Sequence, residues 1–176
     1  MRITISGPPG SGKTTACRKL SEKLGVKAVV FGESFRKLAK ERGMTLAEFG
    51  ELAEKDPSID RMIDDMILTA ARENPDIILE SRLSAQMLSK NNIPAFRVYL
   101  DASPEVRMER VGVRDEEMFD EVYRHMIERQ SSEAKRYKMY YDIDIEDKSV
   151  YDLIINTDDL DPDQIVDRIL KGIKEC

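Results

Sequence analysis

Short apolar runs alternate along the chain with longer stretches in which apolar residues recur every three or four positions. The runs fall at 2–6, 27–31, 76–80, 95–100 and 152–156. They are brief and rich in Ile and Val, as in Ile3-Thr4-Ile5 and Ile154-Ile155, which predicts strands buried on both faces. Helical patterns lie between them. The alternation predicts right-handed β-α-β crossovers and a parallel sheet covered on both sides, an α/β fold.

Two regions carry more helix than a simple crossover needs. Residues 33–73 read as three helices, broken at Gly43-Met44-Thr45 and at Asp56-Pro57-Ser58. Thr45 and Asp56 or Ser58 are the expected N-caps, because their side-chain oxygens can accept from free first-turn amides. The second region, about 103–139, opens at Ser103-Pro104, a cap followed by a first-turn proline. Insertions at the carboxyl ends of strands are where ligands bind in open α/β sheets. A last amphipathic helix starts at Asp161-Pro162, with Ile165, Val166, Ile169 and Ile173 on one face.

Composition narrows the class. A chain of 176 residues suits one domain with a real core. Trp is absent and aromatics are few, so the core should be Ile, Leu, Val, Met and Ala. Net charge is −6 and the sequence pI is about 5.0, which argues against a general nucleic-acid or membrane-surface binder. A nucleotide substrate remains open, since the local field in a cleft decides that. Cys17 reads as a small hydrophobe in the first helix and Cys176 ends the sequence, so a disulfide framework is not expected and a reducing cytoplasm fits. No apolar run approaches a membrane span, and residues from Arg2 read as strand, not as a signal peptide.

The chemistry starts at Gly7-Pro8-Pro9-Gly10-Ser11-Gly12-Lys13-Thr14, which fits G-x-x-x-x-G-K-[ST] between a strand and a helix. Glycines let backbone N–H groups converge on a polyphosphate, and the helix adds free N-terminal donors and the positive end of its dipole. Lys13 would reach the β- and γ-phosphates, and the Thr14 hydroxyl would ligate Mg²⁺. The segment from Gly7 to Thr15 is thus the expected ATP site.

Arginines supply a second anionic site, since the guanidinium fork grips phosphate at two points. Arg36 and Arg82 follow the second and third strands. Arg107, Arg110 and Arg114 share one helix face at i, i+3, i+7, and Arg129, Glu133 and Arg136 share another at i, i+4, i+7. The first set could close over a phosphoryl group. The second could present two donors and a carboxylate to a base or phosphate. Pairing with Glu105, Glu109, Glu117 and Glu128 on solvated helices is the competing reading. Glu80, at the end of a buried strand beside the loop, could hold Mg²⁺ through water. His125 reads as a solvated helix residue. No Cys/His metal cluster and no Ser/His/Asp set is recognisable.

With these residues in place, the chain resembles the P-loop nucleoside monophosphate kinases, and within them the cytidylate kinases of short archaeal type. Phe31-Gly32-Glu33-Ser34-Phe35-Arg36 looks like the family's acceptor-binding segment. Glu80-Ser81-Arg82-Leu83 is similar to its acid-Gly-Arg segment, with Ser81 in the glycine's place. Val106-Arg107-Met108-Glu109-Arg110 looks like the start of the lid, and Arg129-x-x-x-Glu133-x-x-Arg136 resembles the Arg-x-x-x-Asp-x-x-Arg signature.

The resemblance implies a three-layer P-loop fold over residues 1–176, with a five-stranded parallel sheet in the order 2-3-1-4-5. It implies an NMP-binding helical insertion at about 33–73 and a lid at about 107–138. It implies transfer of the γ-phosphoryl group of ATP to CMP, or dCMP, with Mg²⁺. Gly7, Pro8, Pro9, Gly10, Ser11, Gly12, Lys13, Thr14, Thr15 and Arg107 would bind ATP. Phe35, Arg36, Arg82, Arg129, Glu133 and Arg136 would bind the acceptor. Lys13, Arg110 and Arg114 would act in catalysis, and Thr14 with Glu80 would hold the metal. A monomer in the cytoplasm is expected, without nucleic-acid or membrane partners. A kinase for UMP, AMP or a metabolite, and a nucleotide-dependent ATPase or switch, are the alternatives. The missing Asn-Lys-x-Asp motif speaks against a GTPase.

Overall fold

The computed structural model describes residues 1–115 and 119–175, with backbone only for residues 114, 115 and 119. Five strands, β1 (Arg2–Ser6), β2 (Ala28–Val30), β3 (Ile77–Glu80), β4 (Phe96–Asp101) and β5 (Leu153–Asn156), form one sheet in the order β2-β3-β1-β4-β5. Every pairing is parallel, with Ile3 beside Ile78 and Phe96 and with Ile5 beside Glu80 and Val98. The expected strand order and fold class hold.

Helices cover both faces. Helix α1 (Lys13–Leu24) and helix α8 (Pro162–Glu175) pack on one side, where Ala16, Cys17, Leu20, Ile165, Val166 and Ile169 meet Ile3, Ile5, Val98 and Ile155. Each large aliphatic residue fully buried there contributes about 1.5–3 kcal/mol. Cys17 behaves as the small hydrophobe its position implies: burial pushes its thiol up to about 12. On the other face, α4 (Pro57–Glu73) and α5 (Ser84–Lys90) bring Ile67, Leu68, Ala71 and Leu88 onto Ile77 and Leu79.

The central strands are buried as predicted, but β5 is not. Ile154 is 49% exposed, because an edge strand has a covering helix on one face and no neighbour beyond it. Strand β2 is also shorter than the apolar run 27–31. Phe31 opens α2 (Phe31–Glu41) instead of ending the strand, and its ring is buried against Ile63 and Ile67.

The first insertion consists of α2, α3 (Leu46–Lys55) and α4, divided at the expected breaks. Thr45 forms a full capping box: its hydroxyl accepts from Glu48 N while the Glu48 carboxylate accepts from Thr45 N. Asp56 caps α4 by accepting from Ser58 N, with Pro57 in the first turn. Such caps each contribute about 1 kcal/mol. A small core of Ala39, Phe49, Ala53 and Ile59 holds the three helices together. Helix α6 (Pro104–Asp115) and helix α7 (Phe119–Tyr141) form the second region, joined through Met108, Val111, Val122 and Met126. Ser103 Oγ accepts from Val106 N at 3.4 Å, at the predicted start of α6.

Candidate active site

The loop between β1 and α1 turns on three glycines with positive φ: 146° at Gly7, 82° at Gly10 and 90° at Gly12. A Cβ at Gly7 would stand 2.1 Å from Leu100 O, and one at Gly10 would stand 2.6 Å from Arg107 O. Only glycine satisfies both the backbone angle and the space. Gly12 sits at the N-cap of α1 and supplies no side-chain cap, so the first-turn amides remain for an anion. Ser11 Oγ is buried without a hydrogen-bond partner among the described residues. Unpaired donors ringed by backbone N–H groups fit a phosphate.

Lys13 folds back over the loop and donates to Pro8 O at 2.8 Å. Burial pushes its ammonium down to about 7, against the pull of Glu80, with Arg82 and Arg129 adding to the depression. The Thr14 hydroxyl donates to Glu80 Oε2 at 3.3 Å. Glu80 is 2% exposed at the end of β3. One hydroxyl and one carboxylate make a hard-oxygen donor set, which suits an ion that keeps most of its ligands as water and phosphate.

The loop opens onto a cleft of about 620 Å³. Among the described residues, Lys13, Arg18, Arg36, Arg82, Arg110 and Arg129 line it together with the carboxylates of Glu33 and Glu80. The acidic chain therefore carries a basic cleft. Val111, Leu160, Pro162 and Ile165 give it an apolar stretch beside the loop.

Glu133 on α7 organises the cationic wall. Its Oε2 accepts from Arg82 Nε at 2.6 Å and its Oε1 from Arg129 Nε at 2.9 Å. Burial opposes ionisation of Glu133, but Arg82 and Arg129 outweigh it and hold the carboxyl down at about 2. Each arginine spends Nε on Glu133, which leaves its Nη groups to an anion in the cleft. Just before Arg82, Ser81 lies outside the positive-φ region and its Oγ accepts from Leu83 N at 3.0 Å.

The remaining predicted residues divide. Arg110 bridges the loop and the end of β5, donating to Gly10 O at 3.3 Å, Thr157 Oγ1 at 3.0 Å and Thr157 O at 2.8 Å. Arg107 is buried behind the loop, where it donates to Ala102 O at 3.1 Å and Gln130 Oε1 at 3.2 Å. Arg136 is also buried. It donates to Asp60 Oδ2 at 2.7 Å and Ser132 Oγ at 2.6 Å and lies 5.4 Å over the Phe35 ring. The side chain of Arg114 lies outside the described residues. His125 is exposed on α7.

Sequence reading missed Asp60 and Asp64. Both are buried, at 5% and 6% exposure, and both line a small cavity with Phe35, Arg82, Glu133 and Arg136. Asp64 Oδ2 accepts from the Tyr141 hydroxyl at 2.5 Å, and burial raises its carboxyl to about 7. The signal was present. Asp60 and Asp64 fall at i, i+4 beside Ile59, Ile63 and Ile67, charges inside the apolar stripe of α4.

The fold and the loop together define a P-loop phosphotransferase with a second cationic site across the cleft. The chain belongs to the cytidylate kinase-like family, whose model matches residues 2–159. It is 49% identical to a cytidylate kinase of Methanosphaerula palustris over 90% of this chain and 89% of that one. It is 46% identical to a cytidylate kinase of Methanococcoides burtonii over 98% and 97% of the two chains. Among solved structures it resembles a shikimate kinase from Bacteroides thetaiotaomicron at TM-score 0.64 and 19% identity, covering 99% and 98% of the chains. It also resembles an uncharacterised protein from Eubacterium ventriosum at TM-score 0.72 and 19% identity, covering 100% and 99%. These two likenesses concern the fold.

Proposed function

We propose that the chain transfers the γ-phosphoryl group of ATP to CMP, giving ADP and CDP, with dCMP as a second acceptor. The observation that carries this reading is the cationic wall of Arg82 and Arg129, set by Glu133, across one cleft from a complete phosphate loop. Membership of the cytidylate kinase-like family supports CMP as the acceptor.

Backbone amides from Gly7 to Thr15 and the Lys13 ammonium hold the triphosphate. The donor's base lies in the apolar stretch of the cleft, against Val111, Leu160 and Pro162. Arg36 and Arg82 hold the acceptor phosphate. One of its oxygens forms the new P–O bond to the γ-phosphorus, and the bond from the γ-phosphorus to the β–γ bridging oxygen breaks. The acceptor is already anionic, so no strong base is required, and catalysis rests on position and charge. Lys13 and Arg110, with Arg114 where it reaches, offset charge on the transferring group. Arg107 acts from behind the loop, holding the backbone that binds ATP. Arg129, Glu133 and Arg136 with Phe35 shape the acceptor side.

Thr14, and Glu80 through water, would hold Mg²⁺. When bound, that ion neutralises negative charge on the β- and γ-phosphate oxygens. In this reading the helical regions 33–73 and 107–138 close inward over the substrates to exclude water, while Ile67, Leu68 and Ala71 keep the end of α4 on the sheet. The reading is completed by a monomer in the cytoplasm, acting on small molecules without nucleic-acid or membrane partners. No helix among the described residues is long and apolar enough to cross a membrane.

A coupled ADP-release assay with Mg-ATP tests the reading, run with CMP, dCMP, UMP, AMP, GMP and no acceptor. Turnover confined to CMP and dCMP is expected. Hydrolysis without an acceptor, or turnover with none of them, overturns it.

A further inference from the structure

Asp64 stands in a throat between two larger spaces. On one side is the cleft of about 620 Å³; on the other a cavity of about 430 Å³ runs between α3 and α7. The throat holds about 40 Å³. It shares Gly32 and Arg82 with the cleft, and Phe35 and Arg136 with the far cavity. An acceptor whose phosphate rests on Arg36 and Arg82 must extend its base this way, because the triphosphate fills the other end.

Three carboxylates of the described residues reach the throat: Asp60, Asp64 and Glu133. Two of them are committed. Both Glu133 oxygens accept from Arg82 and Arg129, and both Asp60 oxygens accept from Arg136, at 2.7 and 3.4 Å. Asp64 differs, since the Tyr141 hydroxyl donates to Oδ2 alone. Its Oδ1 is not sealed off but keeps some exposure to the throat, where a ligand N–H can reach it.

We propose that Asp64 reads the acceptor's base, with Oδ1 accepting a hydrogen bond from the 4-amino group of cytosine. This rests on the reading of the chain as a CMP kinase. An ionised carboxylate only accepts. Uracil presents a carbonyl oxygen where cytosine presents the amine, so uracil sets acceptor against acceptor and leaves both unpaired. Sites built around such a bond discriminate strongly against the partner that lacks it. Asp64 thereby favours amino over keto pyrimidines, while Asp60 and Glu133 keep the neighbouring arginines in place.

The test is steady-state kinetics of wild type and Asp64→Leu at pH 8, above the value near 7 to which burial raises Asp64. The acceptors are CMP, UMP and the 5′-monophosphate of pyrimidin-2-one riboside, which lacks the 4-amino group. In wild type, removing the amine is expected to lower kcat/KM roughly 10- to 100-fold, the range for a hydrogen bond to a charged group. In Asp64→Leu, which has no acceptor at this place, the same comparison should fall by less than about threefold, since the two deletions remove one shared interaction. UMP should gain on CMP, and the acceptor KM should move more than the KM for ATP.

A loss in the variant that is equal for all three acceptors would leave Asp64 only as a clamp for Tyr141 and overturn the proposal. So would a wild-type enzyme that uses CMP and the des-amino analogue equally well, a result that needs no variant. If thermal melts show Asp64→Leu unfolded, Asp64→Ala takes its place, being smaller and equally without an acceptor. A wild type that turns over no CMP overturns the CMP reading and this inference together, and that result is separate from the variant's.

Discussion

Glu133 and Arg82 meet at 2.6 Å, Oε2 to Nε, with each side chain nearly buried. The second Glu133 oxygen takes Arg129 at 2.9 Å. One carboxylate on α7 thus fixes one arginine after β3 and another on its own helix. In this structure Glu133 meets the cleft through those two guanidinium groups.

Replacing Glu133 with Gln should therefore damage acceptor use through misplaced arginines. kcat/KM for CMP is expected to fall roughly 10²-fold, the scale of a displacement of about 1 Å at a reacting group. The KM for ATP should change far less; equal losses for both would remove the acceptor-side role. The pH dependence also has a definite sign. The folded carboxyl is held at about 2, below its ordinary 4.5, so its stability contribution is present above 4.5 and lost as pH falls toward 2. Acid unfolding followed by circular dichroism should be less steep over that window in Glu133→Gln than in wild type.

Lys13→Met should lower transfer by more than roughly 10³-fold, the upper range for losing one electrostatic contact to the transition state. It should not lower Tm, because it removes a buried ammonium. Burial depresses Lys13 from 10.5 to about 7, so wild type gains stability as pH rises from 7 toward 10.5. The variant should lack that gain. Phosphate binding restores the charge, so ATP binding to wild type at pH 8 should take up protons. Calorimetry in two buffers of different ionisation enthalpy measures this, and equal observed heats in the two buffers would contradict it.

Gly10→Ala should abolish nucleotide binding. At φ 82° the new Cβ would sit 2.6 Å from Arg107 O, a clash with backbone that cannot rotate away. Gly25→Ala is the control. Its φ is also positive, at 63°, but nothing lies within 4 Å, so only the conformational strain of about 1–2 kcal/mol applies. Fluorescent ATP-analogue binding and thermal melts should separate the two: Gly10→Ala loses binding, while Gly25→Ala loses only stability.

Thr14→Ala removes the hydroxyl that lies 3.3 Å from Glu80. The Mg²⁺ concentration needed for half-maximal rate should rise roughly 10-fold or more, the scale on which metal-site ligand and outer-shell changes act. Chelation with EDTA should stop transfer in wild type, and added Mg²⁺ should restore it. A variant with wild-type Mg²⁺ dependence would place the metal elsewhere.

Much of this was legible along the chain. The loop, the alternation of strands and helices and the caps at Thr45 and Asp56 are local or near-local, whereas the strand order followed only from the family resemblance. Glycine spacing, Ile/Val runs and cap residues act within a few positions of themselves, so residue order carries them. Arg82 and Glu133 were each visible as candidates, but nothing along the chain joins them. Asp60 and Asp64 were overlooked although they interrupt the apolar stripe of α4, because the stripe does not say what it meets and only packing puts α4 against α7.

The sequence by itself determined the phosphate loop, the alternation of strands and helices, and the presence of arginines after β2 and β3. Tertiary structure decided which carboxylate holds which arginine. It turned Arg107 and Arg136 inward and brought Asp64 to the throat beside Phe35. It also left one face of β5 to solvent. The reason is physical: hydrogen-bond spacing and backbone sterics are short-range, whereas burial and charge pairing depend on which elements meet when the helices close on the sheet.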